Sequence, residues 1–363
     1  MPNEYLLFVG TYTESPPTHI EGIHSFRFNG ENGQLTPLST TSGIENPSYL
    51  AIDPHHRRLY AVSEVGDLER SALYAYEIDI ATGNLTFLNK QSTHGTSSCY
   101  VSLDQQARNA LVANYGAADQ SVVMLPINMG GYLAPASSTH RHSWQFPGAK
   151  ANRQEAPHAH SILVDTTNQY ALACDLGTNQ VLIYQLDAEN SQLIPNADNA
   201  IDLPPGSGPR HLIYHPSLSI VYVINELNAT LSVLSFEHIT GKLTDIQAIS
   251  AIPDDSTTLG SCSDIHILPS GKFLYAGSRG NNSIGCYAVD EQTGYLNLVK
   301  HQSTNGKTPR NFMIDPTGRY LLVANQDSAN IVVFAIDTKT GYLHETGIEV
   351  NCPTPVCLKM MSL

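Results

Sequence analysis

Charge is scarce in this chain of 363 residues. Asp, Glu, Lys and Arg make up 14% of it, against roughly 25% in an ordinary globular protein. Helices carry Glu, Lys and Arg on their solvent faces, so the scarcity argues for strands and turns. Basic charge is scarcer still: 19 Lys and Arg face 33 Asp and Glu, a net charge of -14. A binder of nucleic acid or of an anionic membrane needs a basic face, which this balance argues against. No run approaches the 18 or more apolar residues of a membrane-spanning helix. The opening MPNEYLLFVG has neither a basic start nor an apolar core long enough for an export signal. The six Cys (Cys99, Cys174, Cys262, Cys286, Cys352 and Cys357) contain no C-x-x-C pair. With no export signal, they are expected to be reduced thiols in a cytoplasmic protein, a Cys352–Cys357 disulfide being the lesser alternative. Tryptophan occurs once, as Trp144.

What is abundant fits an all-β chain: 41% apolar residues, 18 Tyr, 26 Gly and 21 Pro. The apolar and aromatic content excludes disorder. An internal repeat then sets the architecture. PSYLAIDPHHRRLYAVSE (47–64), PRHLIYHPSLSIVYVINE (209–226) and PRNFMIDPTGRYLLVANQ (309–326) each read as an apolar strand, a turn at Asp-Pro or His-Pro, and a second apolar strand. Weaker copies start near Cys99, His160 and Ser263. Equivalent positions are Ser48, Cys99, His160, Arg210, Ser263 and Arg310, spaced by 51, 61, 50, 53 and 47 residues. A second marker has the same period. The pattern x-T-G-x-L occurs at 81–85, 239–243, 292–296 and 339–343, with degenerate copies at 31–35, 129–133 and 189–193. Its Gly supplies the positive φ of a hairpin turn.

Seven units of about 50 residues with four short strands each predict a seven-bladed β-propeller spanning 1–363 as a single domain. YLLFVGTY at the N-terminus matches the second strand of a repeat. TPVCLKMM (354–361) supplies the missing first strand, so the C-terminal strand completes the N-terminal blade and closes the ring.

With strands A to D numbered outward from the axis, the start of A and the end of B meet at one face, the top. The T-G turns join C to D at the bottom. Two positions per blade therefore ring the mouth of the channel: Ser48, Cys99, His160, Arg210, Ser263, Arg310 and Val356 at the start of A, and Tyr12, Glu64, Tyr115, Leu176, Glu226, Arg279 and Gln326 at the end of B. Three of the 11 Arg fall in this ring. They could pair structurally with Glu226, Glu64 and Asp264. They could instead form an anion site, since guanidinium forks match carboxylate and phosphate, and three of them at a partly dry mouth would need a guest anion. Glu226, opposite Arg210 across the A–B hairpin, is expected to have a lowered pKa. His160 reads as a general base or acid near working pH. His158 is either a second polar group at the mouth or a satisfied histidine under a loop. With His140 and His142 these make four histidines, which raises a zinc site; no Cys or acid completes a familiar spacing, so neither metal nor cofactor is expected. The one long repeat carries its extra residues, 136–156 with Trp144, on the top face, as a flank of the site or as a surface loop.

GPRHLIYHP followed by VYVINELN (208–228), PHAHS (157–161), GSRGNNS (277–283) and TPRNFMIDPTGRYL (308–321) resemble the propeller-type lactonases. That family includes bacterial propeller 6-phosphogluconolactonases and fungal 3-carboxy-cis,cis-muconate lactonizing enzymes. The resemblance covers essentially the whole chain and implies catalytic roles for His160, Arg210, Glu226 and Arg279. Arg310 matches a further recurrent Arg, and Glu64, Tyr115 and Gln326 from the same ring, with His158 two residues before His160, are expected to line the substrate site. The segment before PHAHS is longer than the family pattern. The implied activity is hydrolysis of a small anionic sugar lactone, 6-phosphogluconolactone first. A lactonising cycloisomerase acting on a carboxylated, muconate-like substrate and a non-catalytic propeller that binds a metabolite or protein are the alternatives.

Overall fold

The computed structural model describes residues 4–14, 21–53, 55–116, 119–143, 149–254, 256 and 261–363, the side chains of 197–199 excepted. Every described regular element is a strand, and the strands form seven four-stranded antiparallel sheets arranged as blades. In six blades the strands follow chain order outward from the axis. In the first, the innermost strand is Pro355–Ser362, which pairs with Glu4–Thr11 from Tyr5↔Ser362 to Gly10↔Cys357. The ring thus closes as the sequence predicts.

The T-G turns join C to D. In five of them the Gly N–H donates to the carbonyl four residues earlier, as Gly83 does to Asp79 and Gly341 to Asp337, both at 2.7–2.8 Å. Their φ is +72° and +76°, a conformation that disfavours any residue with a Cβ. The A–B turns use an Asp to gather backbone donors: Asp165 Oδ1 accepts from the N–H of Gln169 and Tyr170, both at 2.8 Å. In the His-Pro copy, His215 Nδ1 takes over, accepting from Ser217 and Leu218 at 3.1 and 2.9 Å.

Apolar side chains pack between blades, with Tyr222, Tyr275, Phe312 and Phe334 among the large residues fully enclosed. A tyrosine early in strand B often reaches the C–D turn of the next blade. Tyr222 donates to Gly294 O, Tyr275 to Gly341 O and Tyr170 to Ile239 O, each at 2.9 Å, and Tyr60 to Gly131 O at 3.2 Å. Tyr320 does the same across the closure, to Glu31 O at 3.0 Å.

Candidate active site at the channel mouth

One backbone hydrogen bond recurs in all seven blades. The N–H at the end of strand B donates to the carbonyl two residues before the start of A: Tyr12 to Thr354, Glu64 to Asn46, Tyr115 to Ser97, Leu176 to His158, Glu226 to Gly208, Arg279 to Ser261 and Gln326 to Thr308, at 2.8–3.3 Å. The two rings of positions read from the repeat are therefore structurally equivalent. In six blades the A-start residue also sits where the pairing register of strand A shifts: Cys99, His160, Arg210, Ser263, Arg310 and Val356. A bulge leaves its residue unpaired and re-aims it. Here it turns two consecutive side chains toward the axis, so His211 lies beside Arg210, with Arg210 Nη1 3.3 Å from its Nε2.

Glu226 is the hub. Its Oε2 meets Arg210 Nε at 3.0 Å and Arg279 Nη2 at 2.8 Å, and its Oε1 meets Arg153 Nη2 at 2.7 Å. Burial alone would raise its pKa; Arg279, Arg210 and Arg153 override burial and hold it at about 2. The expected shift is present. The expected demand of the Arg forks for a guest anion is corrected: a carboxylate of the chain already meets Arg210 and Arg279. Arg279 also donates to the carbonyls of Ser261 and Cys262, both at 3.1 Å, and Arg210 to the carbonyl of Ser263. Burial, with Arg210 and Arg310 nearby, lowers the Arg279 pKa to about 10 against the pull of Glu226.

His160 is buried, with Nδ1 3.8 Å from Cys99 Sγ and its ring 5.2 Å from that of His211. Burial first, then electrostatic interaction with Arg210, His211 and Arg310, pushes its pKa well below the ordinary histidine value. The expectation of a pKa near working pH is thereby overturned: His160 is held neutral. His158 has both ring nitrogens engaged, Nδ1 with Tyr115 O at 2.7 Å and Nε2 with Glu155 at 3.0 Å, and it stacks on Tyr115 at 4.5 Å. That is the satisfied histidine under a loop, and it leaves no ring nitrogen for substrate.

Arg310 does not reach Glu64 directly. Its guanidinium lies over the Tyr12 ring, 5.1 Å from the centroid, and Nη2 bonds Tyr12 Oη at 2.6 Å; Tyr12 in turn donates to Glu64 Oε2 at 2.9 Å. The Gln326 amide donates to Asp327 Oδ1 at 3.2 Å. Asp264 pairs with no Arg. It accepts from His211 Nδ1 at 2.7 Å, from His266 Nε2 at 3.1 Å and from Asn311 Nδ2. His266 and His211 hold its carboxyl well below the usual range against burial, and burial with Arg210 pushes His211 down to about 4. The pair is an ionised Asp264 and a neutral His211. They belong to a buried second tier, one residue beyond the A-start positions, with Tyr49 and Tyr100, whose rings stack at 4.2 Å.

Arg153 was not predicted. It comes from the long segment between 136 and 156, so that segment flanks the site; Trp144 lies outside the described residues. The four histidines do not gather. His142 Nδ1 meets Asp175 at 2.6 Å, His140 Nε2 meets Leu193 O at 2.7 Å, and no group of His, Cys, Asp and Glu among the described residues could hold a metal ion. All six cysteines are free and buried.

Known proteins resemble this chain along most of its length. A 6-phosphogluconolactonase of Bacillus subtilis is 34% identical over 312 residues, covering 86% of this chain and 85% of its own. One of Formosa agariphila is 34% identical over 313 residues, covering 85% and 86%. The structure of a periplasmic gluconolactonase of Pseudomonas aeruginosa superposes with a TM-score of 0.90 at 32% identity, covering 99% of both chains. Residues 6–360 match the family described as Lactonase, 7-bladed beta-propeller, and the chain belongs to that family.

Proposed function

We propose that this lactonase, acting as one seven-bladed unit, hydrolyses 6-phosphogluconolactone to 6-phosphogluconate at the top of the channel, without a metal. The observation that carries the reading is the gathering of four guanidiniums, two carboxylates and a neutral imidazole at one mouth. Four positive charges against Glu226 and Glu64 leave an excess that suits an anionic sugar ester. Named 6-phosphogluconolactonases among the relatives support the same substrate.

In the proposed reaction a water oxygen attacks the lactone carbonyl while His160 takes the water's proton. Negative charge grows on the carbonyl oxygen and is met by Arg279, more exposed than Arg210 at 14% against 3% of the side chain. The ring C–O bond then breaks, and the leaving oxygen takes up the proton held by His160, which returns the imidazole to its neutral form. Glu226, held ionised, is a poor base; it orients the guanidiniums. A substrate anion anywhere at the mouth offsets in part the positive charge of Arg210 and Arg310 that depresses His160, so substrate itself makes the base stronger. The cytoplasm is the proposed setting, which fits six unpaired cysteines. Cell fractionation tests it, a periplasmic pool being the contrary result.

The deciding assay couples freshly made 6-phosphogluconolactone to 6-phosphogluconate dehydrogenase and subtracts spontaneous hydrolysis. Acceleration over background is expected, and none overturns the proposal. Arg279→Ala should lower kcat by about 100- to 1000-fold, the usual cost of removing one oxyanion donor, with the melting curve still cooperative. Full activity in that variant would move the oxyanion site elsewhere.

A further inference from the structure

Arg153 differs from the other guanidiniums of the mouth. Arg210 lies in a blade strand and Arg279 directly follows one, and both are largely buried, whereas Arg153 stands on the long connection into blade 4 with 39% of its side chain exposed. Its Nη2 alone makes both polar contacts, 2.7 Å to Glu226 Oε1 and 3.1 Å to Tyr115 Oη. The backbone beneath it is fixed. The N–H groups of Arg153 and Gln154 both donate to Lys150 O at 2.8 Å, and the buried Gln154 amide donates to Leu176 O at 2.9 Å and to Asn179 Oδ1 at 3.1 Å. A firmly seated turn thus carries a long, half-open cation to the rim.

The contact with Glu226 is expendable to Glu226, which keeps two buried guanidiniums without it. For Arg153 the contact is half open: its own side chain is 39% exposed while Glu226 is buried, so an arriving anion can reach the guanidinium from the solvent side. A guanidinium matches phosphate better than a single carboxylate oxygen, because its fork engages two oxygens at once. We propose that Arg153 is the specificity residue for the phosphorylated lactone: its guanidinium leaves Glu226 Oε1 for the phosphate of the arriving substrate, with Tyr115 Oη guiding the swing. The proposal rests on the lactonase reading for its substrate. The phosphate contact itself needs no catalysis and can be measured without it.

The test uses the full chain, Arg153→Ala and Arg153→Lys, with 6-phosphogluconolactone and glucono-δ-lactone as substrates. The expected result is a fall of about 10- to 100-fold in the ratio of kcat/KM for the phosphorylated over the plain lactone in Arg153→Ala, as fits loss of a charge-assisted contact, carried mainly by KM. Arg153→Lys should recover part of the ratio, since charge is kept and the fork is lost. An unchanged ratio, whether or not both activities drop together, overturns the proposal and makes Arg153 a support for Glu226. Calorimetric titration with inorganic phosphate keeps the two readings separable. If neither lactone is hydrolysed by the unaltered chain, the function fails. Phosphate binding that weakens at least 10-fold in Arg153→Ala still upholds Arg153 as the anion contact, and binding equal in both chains overturns it.

Discussion

A carboxylate with three guanidiniums around it is fixed in charge, and that is the role of Glu226. Its pKa of about 2 against an ordinary 4.5 corresponds to about 3 kcal/mol of folding stability. A depressed folded pKa contributes stability above the unfolded value and loses it as pH falls. The contribution should be whole at pH 7 and fade between about pH 4.5 and 2. Glu226→Gln also strands Arg210 and Arg279 as buried like charges. Urea unfolding of both proteins at pH 7 and pH 3 should therefore show a gap that narrows on acidification; a constant gap contradicts the ion-pair account. The pKa of His160 is lowered too, but by burial and by positive neighbours, so what the fold keeps is the neutral form. Its lowered pKa keeps it neutral through the range where free histidine protonates, so the acid limb of kcat/KM should lie below pH 6.5. Because bound anion offsets Arg210 and Arg310, the acid limb of kcat should lie higher than that of kcat/KM, which reports the free enzyme. Coincident limbs would deny substrate any influence on the base.

Between residues and the ring stand two repeated devices, the bulge at the start of strand A and the tyrosine latch between blades. They also decide what the sequence reveals. The A-start and B-end positions recur every 50 residues or so, so Arg210, Glu226, Arg279, Arg310 and His160 could be placed at the mouth by counting. His211 could not, and Asp264 entered only as a possible partner of the arginines, because side-chain alternation sends the neighbour of an inward residue outward, and only the bulge turns it back. Arg153 belongs to a segment without counterpart in the other repeats, so no counting reaches it. Its signal, a basic residue in the one long connection on the top face, was present but pointed no further than the rim. Gln326 shows the converse: a correct ring position whose side chain turns to its neighbour Asp327. The latches make a separate forecast. Tyr222 and Tyr275 are fully buried, and each hydroxyl satisfies the carbonyl of a T-G turn on the next blade. Tyr222→Phe should cost about 1–3 kcal/mol, since a buried carbonyl loses its donor, with lactone turnover kept because the latch lies at the face opposite the mouth. Chemical denaturation checks the first part and the coupled assay the second; a loss of turnover with unchanged stability would contradict both.

At the scale of the whole molecule, the scarce charge follows from packing most residues into strands blade against blade, while four guanidiniums of a chain with net charge -14 are gathered at one mouth. A ring of this kind holds only if its last blade meets its first. Two kinds of contact make that closure here. Pro355–Ser362 completes the blade of Glu4–Thr11, and Tyr320 latches blade 7 to Glu31. The first is a covalent tie as well as a sheet, because the strand that completes blade 1 continues directly from blade 7. Leu363 N–H donates to Glu4 O at 3.1 Å, so a short Gly-rich linker can join Leu363 to Glu4. A circular permutant joined there and opened at residue 353 keeps every strand, every latch and every residue of the mouth, but cuts the tie between blades 7 and 1. If sheet pairing and side-chain packing alone close the ring, the permutant should melt within a few degrees of the original. If the tie matters, opening the seam should become a route to unfolding: the permutant should have a lower midpoint, unfold faster, and still hydrolyse lactone while folded. The second outcome is expected. The seam must otherwise be held by side-chain contacts such as the Tyr320 latch, which individually contribute only about 1 kcal/mol. Unfolding rates measured beside those of a permutant opened between two other blades would separate the seam from the general cost of a new chain end; equal rates would show that the tie adds nothing.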